Sequence, residues 1–212
     1  KRWAKKNNFS NLIGYSKGFD NIRNLVNFSL NIKLKNLTLY ALSSENFHRS
    51  SLDLIYDIIY KNFSKYFEDL VVDNDVKIKI FGSRKNLPNK ILNIFENIEK
   101  LSLNNSTLNL NIAFNYGFKH EIKNVLKKVR NNSLEINLNN EQEIDKLFDI
   151  GKLPDPDILI RTGGYKRLSN FIMYNLTYTE FFFTDTLWPD FSEEEFNNII
   201  KEYSNIRRKY GL

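Results

Sequence analysis

Cysteine is absent from this 212-residue chain, so disulfides and thiolate-bound metals are excluded. Histidine is scarce, with only His48 and His120. Two histidines are too few for a histidine-rich zinc site and make a Ser-His-Asp triad a poor reading. No apolar run approaches the roughly 20 residues of a membrane-spanning helix. The opening KRWAKKNN contains no signal-peptide apolar core. No repeat, linker or low-complexity break divides the chain, so residues 1–212 read as a single domain. The Asn- and Lys-rich composition has the look of codon bias, and scattered Asn-x-Ser/Thr triplets therefore say little about glycosylation.

Hydrophobic residues make up 42% of the chain, with 17 Phe and 11 Tyr, enough to fill a core or line an apolar cavity. A net charge of +6 and a pI near 9.3 suit a polyanionic substrate, nucleic acid or an anionic membrane face. Charge alone does not choose among them. No recognised nucleic-acid-binding motif is present, so nucleic acid is not an expected partner.

The stretch from Asp157 to Phe191 organises the rest. Ile158 to Ile160 reads as a buried strand that ends on Arg161 and the turn Thr162-Gly163-Gly164. Lys166, Arg167 and Ser169 follow, then Glu180 and a second apolar run, Phe181 to Phe183. A strand that carries an arginine to its carboxyl end, next to Gly-Gly and more basic groups, suits an anion, because ligands bind at that edge of open α/β sheets. Two arginines and a hydroxyl suit phosphate or diphosphate, whose oxygens match the guanidinium fork. The bland alternative is a solvated basic loop. Glu180 is either a metal ligand or an ordinary residue at a strand start.

Periodicity supplies the surroundings. Ser16 to Lys33 has helical spacing, Leu37 to Leu42 reads as a strand, and Ser51 to Val72 is a long helix with a broad apolar face. Val76 to Phe81 alternates as a strand, and Leu87-Pro88 opens a helix through Leu101 with proline in its first turn. Leu108 to Phe114 is a strand, and Phe118 to Arg130 and Glu141 to Phe148 are helical. Ser192 caps a closing helix to Lys209, with three glutamates in its first turn. Strands alternating with helices predict an α/β fold with a mostly parallel sheet covered on both faces. Parallel strands would then gather Ser43, Ser44, Asn46, Arg49, Gly82, Ser83, Asn115 and Arg161 on one edge.

Those residues carry a family resemblance. Lys1-Arg2-Trp3-Ala4-Lys5, SSENFHR (43–49), NIAFNYG (111–117), IRTGGYKRLSNF (160–171) and FFFTDTLWPDF (181–191) resemble the cis-prenyltransferases, of the undecaprenyl or dehydrodolichyl diphosphate synthase type. The similarity runs in order through essentially the whole chain. It implies a single domain with an apolar tunnel beneath a diphosphate-binding rim. The implied reaction adds isopentenyl diphosphate units to an allylic diphosphate such as farnesyl diphosphate, with cis stereochemistry and Mg²⁺, giving a long-chain polyprenyl diphosphate. Arg161, Arg167 and Ser169, beside Leu168, match the positions that hold isopentenyl diphosphate, and Glu180 matches a metal carboxylate. Arg2 and Trp3 match the end of the loop gripping the allylic diphosphate, with Arg2 also close to the chemistry. Ser43 and Asn46 match groups near the reacting carbon, Asn46 as the catalytic amide, flanked by Ser44, Glu45, Phe47 and Arg49. Asn11 and Tyr15 stand at two further substrate positions. Implied partners are the two diphosphates, a second copy of the chain or a heteromeric subunit, and a membrane that receives the product. The implied location is cytoplasmic or membrane-peripheral, with a plastid-type organelle or the endoplasmic reticulum surface as options.

Departures from the pattern qualify this. The family's Asp-Gly-Asn-Gly loop and first strand precede the position of Arg2, so both are expected in a native N-terminal segment lying before this sequence. Asn11 replaces an arginine, Tyr15 a histidine, Ser83 an acidic residue, Phe118-Lys119 a Gly-Arg pair and Tyr165 a glutamate. Lys209-Tyr210-Gly211 stands for the Arg-x-Gly that completes a partner's site. These changes leave open an alternative, a weak or inactive accessory subunit of a heteromeric enzyme. Asp53 with Asp57 reads as a solvated helical pair, Asp73-Asn74-Asp75 as a turn, and His48 and His120 as surface polar residues.

Overall fold

The computed structural model describes residues 1–47, 52–131, 137 and 139–207. Helix α1 (Arg2–Lys6) packs on α2 (Asn11–Asn31). Helix α2 starts ahead of the expected Ser16 because Ser10 caps it, its hydroxyl accepting the Ile13 N–H at 3.3 Å. Strand β1 (Asn36–Ser43) leads to α3 (Leu52–Ile58) and α4 (Ser64–Asp73). The expected long helix is present, but its middle, Ile59–Phe63, widens into a π-helical segment. Strand β2 (Val76–Phe81), α5 (Asn89–Leu101), β3 (Leu108–Tyr116) and α6 (Phe118–Arg130) follow. Pro88 immediately precedes α5 instead of lying in its first turn, and its carbonyl accepts the Ile91 and Leu92 N–H groups. Helix α7 (Glu141–Asp145) stops short of Phe148, because Leu147 and Phe148 bond three residues back in tighter turns. Strands β4 (Ile158–Arg161) and β5 (Glu180–Phe183) precede α8 (Glu193–Ser204). Ser192 caps α8 as expected, accepting the Glu195 N–H at 3.1 Å.

Every described strand pair is parallel, as the alternation of elements requires. The strands form two groups, ordered β1-β3-β2 and β4-β5, where a single sheet was expected. Side chains alternate along each strand. Val76, Ile78 and Ile80 of β2 and Leu108, Leu110, Ile112 and Phe114 of β3 face a core shared with α2 to α5. Phe81, Ala113 and Tyr116 face a second core with Val125, Phe148 and Leu176. A third core joins α2, β4, β5 and α8 through Leu25, Ile160, Phe182 and Phe196.

Phe95 lies at the centre of the first core, 1% exposed and edge-on to Phe114 at 5.3 Å. Phe95→Ala is expected to cost about 3–5 kcal/mol. Thermal melts should show a midpoint lowered on the order of 10 °C.

Candidate active site

Strand β4 is short and only half-buried, with Leu159 alone buried where a buried strand was expected, and its last residue, Arg161, emerges at the carboxyl edge. One Arg161 Nη1 donates to Ser169 Oγ at 2.9 Å and also to the Arg167 carbonyl oxygen. Arg167 Nε donates to the same Ser169 Oγ at 3.1 Å. One hydroxyl thus ties two guanidiniums side by side. The chain can turn back in this way because Ser169 and Asn170 both adopt left-handed backbone, with φ of 50° and 59°. Arg2 joins them from α1, its Nη1 donating to the Gly163 carbonyl at 2.5 Å. Trp3 Nε1 donates to Asp190 at 2.6 Å, which fixes α1 to the Trp188–Asp190 turn. The Gly163-Gly164 turn has φ of 87° and 82°, and its N–H groups reach the Thr186 and Thr184 carbonyls.

Among the described residues, none of Arg2, Arg161 and Arg167 has a carboxylate within ion-pair distance. Burial, and then the charges of Arg167 and Arg2, push the Arg161 pKa down from its ordinary value. Its Nε is buried without a hydrogen-bond partner. A cluster of this kind is electrostatically incomplete, and an anion would complete it.

The carboxyl ends of β1 and β3 are bound to the same loop through Asn170. Its backbone carbonyl accepts the Phe118 N–H at 2.9 Å, its Oδ1 accepts the Lys119 N–H at 2.8 Å, and its Nδ2 donates to Glu45. Burial works against the charged form of Glu45. The hydrogen bond from Asn170, with further ones from Ser43 and Ser44, outweighs it and holds the carboxyl below its usual range.

These side chains rim one cavity of about 1700 Å³. Arg2, Trp3, Tyr15, Ser43, Glu45, Asn46, Arg161, Arg167, Leu168 and Ser169 all line it, so most of the expected site is brought together. Its apolar wall includes Ile55, Ile58 and Ile59 beside the π-helical segment, with Phe67 and Phe114. The expected channel side chains therefore serve in the core and in the cavity wall alike. Ordinary small-molecule pockets run to about 1,000 Å³, so this one exceeds what a single compact ligand fills. Among the described residues, β1 ends one sheet and β4 ends the other, and both border the cavity. Leu37 to Ala41 and Asp157 to Arg161 both border it.

Four expected residues do not line the cavity. Asn11 opens α2 on an exposed turn. Ser44 turns toward Gly117, where its hydroxyl would collide with any Cβ, and the Phe47 ring is drawn into the first core. Glu180 is displaced by strand register. It opens β5 beside Ile158, whereas Arg161 closes β4 beside Phe183. At about 3.3 Å per residue, that separates Glu180 from the arginine end by roughly 10 Å along the strands. Arg49, His48 and Lys209 to Gly211 lie outside the described residues.

A family profile described as "Putative undecaprenyl diphosphate synthase" matches residues 1–211. The chain belongs to the undecaprenyl diphosphate synthase family. The isoprenyl transferase of Aquifex aeolicus is 33% identical over 212 residues, covering 99% of this chain and 90% of the relative. The tritrans,polycis-undecaprenyl-diphosphate synthase (geranylgeranyl-diphosphate specific) of Pyrobaculum aerophilum is 35% identical, covering 100% of this chain and 91% of the relative. Among solved structures, lavandulyl diphosphate synthase from Lavandula x intermedia, in complex with dimethylallyl diphosphate, superposes with a TM-score of 0.89. It is 29% identical, and the match covers 100% of this chain and 93% of that one. The single-domain α/β architecture is that of the cis-prenyltransferases, and the protein is a cis-prenyltransferase enzyme.

Among the described residues no group of three His, Cys, Asp or Glu side chains converges, and Glu180 is far from the arginines along the strands. The described residues alone do not fit a Mg²⁺ site.

Residue-by-residue sequence reading missed Asn170, the junction of three loops. Its signal was an Asn directly after a Ser in a turn, the residue types that tolerate left-handed backbone.

Proposed function

We propose that the enzyme joins isopentenyl diphosphate to an allylic diphosphate of the farnesyl type and so builds a long-chain polyprenyl diphosphate. The observation that carries this reading is the uncompensated trio Arg2, Arg161 and Arg167 at the mouth of an apolar cavity. Charge at the rim and hydrocarbon lining below suit a substrate with a diphosphate head and an isoprenoid tail. Arg161, Arg167 and the Ser169 hydroxyl hold the isopentenyl diphosphate, with the guanidinium forks facing its oxygens. Arg2 and Trp3 steady the allylic diphosphate, whose departure breaks the carbon–oxygen bond. Positive charge fixed beforehand at that point stabilises the leaving group as it forms. Ser43 and Asn46, on the β1 end, stand where a proton must be lost from the new bond's neighbour. Mg²⁺ is proposed to arrive with the diphosphates, because their oxygens supply ligands that the described residues lack.

That β1 and β4 border one cavity supports a second element of the reading, one further parallel strand seated in a slot between them and supplied by the N-terminal segment that the family resemblance implies. Among the described residues, β1 and β4 each have one side unpaired, and both border the same cavity. Asn175, which also borders the cavity, is 5% exposed with both amide atoms lacking a partner. A strand seated there would join the two sheets and satisfy that amide. Amide hydrogen exchange of Leu37 to Ala41 should slow at least 10-fold when that segment is attached. Unchanged exchange would leave the slot without that strand.

Exposed Tyr178, Phe181 and Phe183 at the outer strand β5 support self-association. A dimeric mass in solution, lost in a Phe181→Asp/Phe183→Asp variant, is the expected result. No helix among the described residues is long and apolar enough to cross a membrane. The apolar product is proposed to pass to a membrane surface from a protein resting against it.

A further inference from the structure

Tyr165 stands where the family pattern places a glutamate. Around its ring lie three guanidiniums: Arg167 at 4.5 Å from the centroid, Arg2 at 5.0 Å and Arg161 at 5.9 Å. All three are within the about 6 Å at which a ring face attracts a cation. Each arginine is also held from behind by a carbonyl or hydroxyl, so their positions are set on two sides. The ring borders the same cavity and is 47% exposed, and its surroundings bring together the three like charges of the rim.

We infer that Tyr165 is a positioning residue for the diphosphate site, its ring face gathering Arg2, Arg161 and Arg167 without neutralising any of them. A glutamate would gather the same groups by ion pairing, and would set its own negative charge against the incoming anion. The aromatic quadrupole attracts the cations and leaves the net charge intact. The exchange therefore makes this site more positive by one unit than the family pattern. It offers a compensation for the loss at Tyr15, which lines the same cavity and where the pattern has a histidine. The inference rests on the proposed diphosphate reading.

The test is calorimetric binding of inorganic diphosphate to the whole chain at about 50 and about 300 mM salt, where screening lengths differ about 2.4-fold. Tyr165→Ala is expected to weaken binding about 10-fold, the sum of the lost ring contacts. Tyr165→Phe keeps the ring face and should stay within about twofold of the parent. Tyr165→Glu should flatten the salt dependence, because the added carboxylate lowers the charge of the site. The half-exposed side chain makes unchanged thermal midpoints the expected accompaniment in all three. Unchanged affinity in Tyr165→Ala, or a loss in Tyr165→Phe equal to that in Tyr165→Ala, overturns the inference. Arg167→Ala separates the two levels. If it weakens binding while Tyr165→Ala does not, the role of Tyr165 alone fails. If neither variant weakens binding, the diphosphate reading fails with it.

Discussion

Arg161→Ala should lower kcat/KM for isopentenyl diphosphate about 100-fold, with little change in thermal midpoint. Charge-assisted hydrogen bonds contribute about 1.5–3 kcal/mol each, and about 2.7 kcal/mol corresponds to that rate loss. The variant removes one guanidinium and also releases Ser169 Oγ and the Arg167 carbonyl from the bonds that align Arg167. Arg167→Ala should lose less, because Arg161 retains the Ser169 bond. Steady-state kinetics with isopentenyl diphosphate as the varied substrate check both. Equal kinetics for parent and Arg161→Ala would remove the residue from the site.

Gly163→Ala should produce the second large effect. Gly163 has a φ of 87°, which a Cβ strains, and that Cβ would also strike the Arg2 guanidinium. Left-handed strain of this kind costs about 1–3 kcal/mol. The melting midpoint should fall by several degrees. Activity should fall further than stability explains, by about 10-fold, because Arg2 loses its seat on the Gly163 carbonyl. Melting curves and rates measured together decide it. A stability loss with full activity would detach Arg2 from the reaction.

How far the sequence anticipates the molecule depends on the kind of interaction involved. Strand β2 falls where alternation puts it, and β4 where a short apolar run ends on an arginine. Local pattern places both, although β4 is only half-buried. Pairing is a different matter. The division into β1-β3-β2 and β4-β5 depends on what lies beside β1, and no periodicity records a neighbour. The π-helical turn at Ile59–Phe63 is equally silent, because its apolar spacing still reads as one helix.

The site divides in the same way. Arg161, Arg167 and Ser169 are legible because two arginines and a hydroxyl after a strand match the chemistry of a phosphate group. Glu180 is next to an apolar run in sequence, yet strand register carries it to the other end of the pair. Asn170 acts through a left-handed backbone and Tyr165 through a ring face, and neither function is written in charge or hydropathy. Asp75, read as a plain turn, holds the entrance of β3, its carboxylate accepting from Ser106 and Thr107 at 2.9–3.2 Å.

The central claim is that this rim and cavity elongate an isoprenoid diphosphate. The most direct measurement is incorporation of labelled isopentenyl diphosphate onto farnesyl diphosphate with Mg²⁺, using the 212-residue chain beside a form extended by the N-terminal segment that the family resemblance implies. The account predicts labelled polyprenyl diphosphate from the extended form, formed about 100-fold less efficiently by Arg161→Ala. No product from either form, together with stimulation of a co-expressed homologue, would contradict it and assign the chain an accessory role.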